Sequence, residues 1–209
     1  MRCDGSRQKF GVILMNKNNY ILTIMQRKYL CFKHCADLFL ALVLLLLLLI
    51  PFAVIALIQK FTDPFEPVFF SQVRYGKNGK LFRIYKFRSM KMTGLEENFS
   101  AQTVSGFGRF LRDSSLDELP QLLNVLTGKM SLVGPRPLIP QEDEIHMLRQ
   151  EMGIYQLRPG ITGWAQIHGR DRLKASEKAA YDREYLENVS LSMDLKILMQ
   201  TVREVLTRK

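Results

Sequence analysis

Residues 114–126 read SSLDELPQLLNVL and set two carboxylates, Asp117 and Glu118, side by side just ahead of Pro120. Adjacent acids can serve a helix or a reaction. Ser115 followed three residues later by Glu118 spells a capping box, and Leu119, Leu122, Leu123 and Leu126 then fall at core-facing helical spacing. Acids in a first turn also complement the helix dipole. Pro120 strains that register: with Ser115 as the cap it sits a turn too deep and loses a backbone bond, whereas with Asp117 as the cap no amide proton is missed. The same pair could carry catalysis as nucleophile, proton carrier or metal ligand. The local pattern alone leans to capping, so the rest of the chain has to decide.

Cations recur at positions suited to anions. Lys86 and Arg88 stand two apart in VFFSQVRYGKNGKLFRIYKFRSM (68–90), a stretch rich in aromatic and β-branched residues around Gly76-Lys-Asn-Gly79. That pattern predicts a β-hairpin with both cations on one side, either a solvated strand face or an anion clamp. In SLVGPRPL (131–138), Pro135 and Pro137 fix the backbone on either side of Arg136. A guanidinium on so stiff a chain suits bidentate phosphate binding with little ordering entropy. Arg158 and Arg170 bracket the glycine-rich RPGITGWAQIHGR, which carries the only tryptophan, Trp164. That ring could stack on a base, but a small core or a lipid interface is the favoured place for it.

The elements that must position these residues follow from composition. Thirty Lys and Arg against twenty Asp and Glu give a net charge of +10 and a pI ≈ 9.6, which points to an anionic partner: nucleic acid, anionic lipid or a phosphate-bearing substrate. No Walker loop, GxGxxG, nucleic-acid motif or internal repeat is found, and nucleic acid is set aside. All three cysteines lie before the apolar run, and Cys31, His34 and Cys35 without a second ligand pair make a poor zinc site.

From Leu38 to Ile58 the chain is uncharged and almost wholly apolar. At ~1.5 Å per residue it reaches about 31 Å, enough for a bilayer core. Seven Lys or Arg and one acid among residues 1–35 hold the N-terminus in the cytoplasm. Pro51 can bend the helix so that it enters and leaves on one face, and a kinked single span is the other reading. Beyond a linker at 59–67 and the hairpin, 93–105 reads as loop. Helical patterning returns at 106–112, 116–127 and 140–152. The segment 192–209 is an amphipathic helix, either interfacial or packed.

Together and in order, these blocks resemble the bacterial sugar transferases, the small membrane-bound polyprenyl-phosphate phosphoglycosyltransferases. The resemblance runs from about Lys33 to Lys209. It is carried by the basic approach to Asp37 and the apolar run, by YKFRSM (85–90), SLDELPQLLNVLTGKMSLVGPRPL (115–138), RPGITGWAQIHGR (158–170) and MDLKIL (193–198). It implies that Asp117 and Glu118 are a catalytic dyad, with Asp117 the nucleophile and Glu118 handling a proton or touching metal. It implies transfer of a phosphosugar from a UDP-sugar to polyprenyl phosphate with release of UMP, through a covalent Asp-phosphosugar, and a need for Mg²⁺ that the two acids would hold. Lys86, Arg88, Arg112, Arg136, Arg158 and Arg170 are the candidate phosphate contacts.

The fold so implied is mainly α with a small β-hairpin: a basic tail (1–32), a re-entrant membrane helix broken at Pro51 (33–60) with interfacial amphipathic helices, and a compact cytoplasmic catalytic domain (61–209). The expected place is the cytoplasmic face of a bacterial inner membrane. The expected partners are the UDP-sugar, polyprenyl phosphate and anionic lipid, and a homodimer is compatible. Two departures stand out: Ile50 precedes the proline where Ser is frequent, and His168 stands where Asn is usual. A non-enzymatic membrane adaptor, or a direct glycosyltransferase that releases UDP, are the competing functions.

Overall fold

The computed structural model of the chain describes residues 22–90, 106–169 and 172–207. Its first helix, α1 (Ile24–Leu47), starts well before the apolar run. Thr23 begins it with a capping box: its hydroxyl accepts from the Gln26 amide at 3.2 Å, and the Gln26 side chain accepts from the Thr23 amide at 2.9 Å. Ile24 to Phe32, expected within the basic tail, are therefore helical. α1 is long and apolar enough to cross a membrane by length and composition.

The helix ends at Leu48 (φ −93°, ψ 5°) and resumes as α2 (Leu49–Thr62). The break lies three residues before Pro51, where Pro51 had been expected to centre it. The physical reason is the proline's own geometry. It cannot donate to the carbonyl four residues back, and its ring crowds the preceding turn, so the disruption falls upstream. Pro51 itself is the third residue of α2, where the missing amide costs nothing.

Both sides of the break return to the same body. Ala41 of α1 packs with Ile84, Leu122, Val125 and Met130. Ile55 of α2 packs with Phe87 and Leu111, and the Gln59 side chain donates to the Arg88 carbonyl. Between these docked segments Leu44, Leu46, Leu47, Leu49 and Ile50 are exposed.

The hairpin forms as expected. β1 (Phe69–Tyr75) pairs antiparallel with β2 (Leu81–Phe87), with Phe70 opposite Lys86 and Arg74 opposite Phe82. Its turn uses Asn78 and Gly79 at φ 59° and 70°, the left-handed region that short polar residues and glycine tolerate. After α3 (Gly106–Asp113) the expected helix 116–127 is two pieces: a 3₁₀ segment, Leu116–Gln121, and α4 (Leu122–Leu126). Pro120 interrupts the α-type ladder, so the α-helix starts only beyond it. The capping box is absent: Ser115 is left-handed (φ 58°) with no side-chain cap, and it is its carbonyl that accepts from Glu118 N at 3.2 Å.

β3 (Ser131–Val133) and β4 (Gly160–Thr162) form a two-stranded parallel pair, with Ser131 opposite Gly160 and Val133 opposite Thr162. α5 (Asp143–Glu151) begins later than the expected residue 140. α6 (Trp164–Ile167), α7 (Ala175–Asn188) and α8 (Leu191–Thr207) complete the chain. Trp164 takes the core place, buried with Val133, Leu157, Tyr185, Leu186 and Ile197. α8 packs, as one of the two expectations for the tail has it: Asp194 and Ile197 are buried, while Leu191, Leu195, Met199, Val202 and Leu206 lie exposed along the other face. The expected loop at 93–105 falls outside the described residues.

Candidate active site

The acids sit in the 3₁₀ segment, both buried, Asp117 at 7 % and Glu118 at 8 % exposure. Carboxylates are rarely buried without partners that offset lost hydration. For Glu118 those partners are cations from two other elements. Lys86 Nζ of β2 lies 2.7 Å from Glu118 Oε1, and Arg136 Nη1 lies 3.7 Å from the same oxygen. An open cleft of ≈ 230 Å³ beside them is lined by Arg74, Lys86, Glu118, Gln121, Arg136 and Gly160, among others.

What fixes this geometry lies one layer out. Asn124, on the helix that follows the dyad, accepts from Tyr85 N at 3.2 Å and donates to Arg83 O at 2.7 Å, stitching α4 to the edge of β2. Arg136 is braced through its backbone. Its carbonyl accepts from Arg149 Nη1 at 2.6 Å, and Arg149 Nε in turn donates to Asp182 Oδ2 at 2.8 Å. Burial pushes the Asp182 carboxyl up while Arg149 pulls it down. The Pro-Arg-Pro turn also crosses the Arg-Pro-Gly turn at van der Waals limits: Gly134 N donates to Thr162 O at 2.8 Å, and Gly160 N to Pro135 O at 2.9 Å. A Cβ on Gly160 would meet Gly134 N at 2.1 Å, so only glycine allows the crossing.

The expected phosphate contacts divide. Lys86 and Arg136 meet Glu118 of the pair. Arg88 does not share a clamp with Lys86: the strand ends at Phe87, and Arg88 turns to Asp63 at 3.4 Å and Glu66 at 3.5 Å, tying the hairpin to the segment after α2. Arg158 lines a different cleft and donates from Nε to Gly128 O at 2.9 Å. Arg112 is exposed at the end of α3, and Arg170 lies outside the described residues. His168 is exposed, stacks on Tyr181 with centroids 4.6 Å apart and packs on the buried Trp164.

Arg74 is the cation that the sequence reading passed over. It lines the dyad cleft, donates to Pro137 O at 3.1 Å and to Gln72 Oε1 at 2.6 Å, and leaves its Nε buried without a partner. Burial, and then the neighbouring Arg136, push its guanidinium down to about 10, still cationic at neutral pH. The available signal was the hairpin register, which puts Arg74 on the same face as Lys86.

No group of three His, Cys, Asp or Glu gathers for a metal among the described residues. Mg²⁺ is nonetheless compatible with this donor set: it takes one or two carboxylates and completes its shell with substrate phosphate and water. Glu118 offers such hard oxygens beside Lys86 and Arg136, and Asp117 is the adjacent acid that could join it.

The family model described as bacterial sugar transferase matches residues 28–208. The chain is 42 % identical over 182 residues to the UDP-glucose:undecaprenyl-phosphate glucose-1-phosphate transferase of Escherichia coli K12, covering 81 % of this chain and 39 % of that protein. It is 47 % identical over 144 residues to the uncharacterized sugar transferase EpsL of Bacillus subtilis 168, covering 68 % of this chain and 71 % of the relative. It is 37 % identical over 170 residues to the undecaprenyl-phosphate galactose phosphotransferase of Salmonella typhimurium LT2, covering 71 % of this chain and 35 % of the relative. The chain thus spans well under half of two of these three relatives.

Proposed function

Because the chain belongs to the bacterial sugar transferase family, we propose that it transfers a phosphosugar from a UDP-sugar to polyprenyl phosphate, releasing UMP, as the initiating membrane step of a bacterial glycan. The observation that carries the reading is the convergence of Lys86, Arg136 and Arg74, from the two hairpin strands and a proline-locked turn, on a cleft lined by Glu118, whose neighbour Asp117 is also buried. A capping pair needs no such cations. A site for a pyrophosphate does, because its negative charge has to be offset before a carboxylate can approach phosphorus.

The chemistry follows in two balanced steps. Asp117 attacks the sugar-bearing phosphorus of the UDP-sugar. The phosphorus–oxygen bond to UMP breaks, UMP leaves with the electron pair, and the phosphosugar rests on Asp117 as an acyl phosphate. An oxygen of polyprenyl phosphate then attacks the same phosphorus and expels the Asp117 carboxylate, giving the polyprenyl diphosphate sugar. Lys86 and Arg136, paired with Glu118 at rest, turn toward the arriving phosphates. Glu118, so relieved, accepts the proton of the incoming polyprenyl phosphate. Bound Mg²⁺ would supply further neutralisation of the pyrophosphate, held by the two acids.

The membrane reading is that α1 and α2 enter and leave on one face, with the domain in the cytoplasm. Its support is the docking of Ile55 and Gln59, beyond the break, on the same body that holds Ala41 before it. The relatives are named for glucose and galactose transfer, and neither sugar is assigned here. The test is product analysis with a panel of UDP-sugars, polyprenyl phosphate and Mg²⁺. UMP is the expected nucleotide; UDP would indicate direct glycosyl transfer, and no nucleotide from any of them an adaptor. For topology, accessibility labelling on intact cells of cysteines placed beyond residue 100, after Cys3, Cys31 and Cys35 are replaced, should give no periplasmic signal.

A further inference from the structure

Away from the dyad, a second open cleft of ≈ 350 Å³ lies where α1 meets the hairpin turn and the Arg-Pro-Gly turn. It shares no lining residue with the dyad cleft. Its lining includes His34 of α1, Lys77 of the hairpin turn and Arg158. Among the described residues none of these three has an acidic ion-pair partner. The one carboxylate in the lining, Asp37, is already engaged, 3.6 Å from Lys33 and hydrogen-bonded by Ser131. Desolvation and then the Arg158 guanidinium push the Lys77 ammonium down, as expected for cations crowded without an anion between them.

The site is also built. Gly128 takes the left-handed region (φ +68°), its carbonyl holds Arg158 Nε at 2.9 Å, and a Cβ there would come 3.3 Å from His34 Cε1. One turn thus positions two of the three groups. The level matters as well: His34 stands four residues before Leu38, where the uncharged run starts, about 6 Å along the helix. With that run immersed, the cleft opens at the depth of lipid headgroups.

We propose that His34, Lys77 and Arg158 form a binding site for the phosphate of a membrane lipid, separate from the catalytic cleft. The site rests on the membrane reading of α1 and not on the chemistry assigned to the dyad. Two lipids carry the required group at this depth, an anionic phospholipid and polyprenyl phosphate, and the guanidinium fork and the ammonium suit either.

The test is native mass spectrometry of the full chain from detergent micelles, titrated separately with phosphatidylglycerol, polyprenyl phosphate and inorganic phosphate. One phosphatidylglycerol should be retained per chain, and polyprenyl phosphate, which the catalytic cleft also takes, is scored by the part of its retention that Lys77→Gln removes. Lys77→Gln should weaken retention at least about fivefold, the effect of one basic group at an anionic surface, and Lys77→Arg should restore it. Lys80→Gln, at the same hairpin turn but outside the cleft, should change retention little. Tighter retention of phosphatidylglycerol identifies the occupant as bulk lipid, and tighter retention of polyprenyl phosphate identifies it as substrate; either supports the site. Equal losses in Lys77→Gln and Lys80→Gln would reduce it to diffuse surface charge and overturn it. Inorganic phosphate binding as tightly as both lipids would overturn the lipid assignment. The phosphatidylglycerol titration on Asp117→Asn should match wild type, so that a failure of the catalytic reading stays separable from a failure here.

Discussion

Two charge clusters in this molecule use similar residues toward opposite ends. In the first, Lys33 lies 2.7 Å from Asp194 and 3.6 Å from Asp37, Tyr29 and Tyr185 each donate to Asp194 at 2.6 Å, and Ser131 donates to Asp37. Every charged member is at least nine-tenths buried, and the acids outnumber the single cation, their remaining lone pairs being met by hydroxyls. The cluster joins α1, β3, α7 and α8 and is closed in that its charges are met by one another and by hydroxyls, although Lys33, Asp37, Ser131 and Tyr185 also line the second cleft. In the second, Glu118 shares one carboxylate oxygen between Lys86 and Arg136, with Arg74 beside them and an open cleft in front. There the cations are in excess and part of the charge faces space. A satisfied buried network holds elements in register, whereas an open one with surplus cations is arranged for an anion that has yet to arrive.

Breaking the closed cluster should cost the most stability. Asp194→Ala leaves the Lys33 ammonium only its longer contact with Asp37, takes the acceptor from Tyr29 and leaves Tyr185 only the long bond to Val133 O, and removal of one partner from a buried pair typically costs about 3–5 kcal/mol. A large drop in melting temperature in nanodiscs is the expected result, with Asp194→Asn falling between. Next comes the crossing under the open cluster. Gly160→Ala places a Cβ 2.1 Å from Gly134 N, a backbone atom that cannot rotate away. Overpacking of this kind costs about 1–3 kcal/mol, and activity should fall further than stability because Arg136 is displaced.

The smallest stability effect and a clear activity effect belong to Arg136→Lys. The side chain is 32 % exposed, so the fold should melt near wild type. Lys keeps the charge and loses the planar fork, and turnover should drop at least about tenfold, equivalent to roughly 1.4 kcal/mol. Wild-type turnover in that variant would make Arg136 a simple charge donor.

The two clusters also differ in how well the sequence disclosed them. The hairpin was legible because aromatic and β-branched runs flank a Gly-Lys-Asn-Gly turn, and its strands fall inside the expected 68–90. The break in the apolar helix was legible from Pro51 to within a turn. The closed cluster was visible only as two separate blocks, the basic approach to Asp37 and MDLKIL. That Lys33 and Asp194 meet is a tertiary fact with no periodicity to announce it. The parallel pairing of β3 and β4 was hidden for the same reason, since three-residue strands carry no alternation. Arg88 and Arg158 were grouped with the dyad because charge type alone does not say which way a side chain turns. Arg74 and the Arg149–Asp182 brace were missed because their importance comes from what they touch. The Ser115 cap failed because the capping-box spelling ignores a left-handed residue at the cap.

The central claim is that Asp117, the acid next to Glu118 of the open cluster, is a nucleophile, and its most direct test is a single-turnover experiment. Enzyme incubated with the UDP-sugar it accepts and Mg²⁺, without polyprenyl phosphate, should release about one equivalent of UMP and retain the phosphosugar in a hydroxylamine-labile bond. Asp117→Asn, first shown to be folded by its melting temperature, should give neither burst nor label, while Glu118→Gln should turn over slowly and still take some label. A folded Asp117→Asn protein with near-normal turnover would contradict the account, and the adjacent acids would then serve the fold alone.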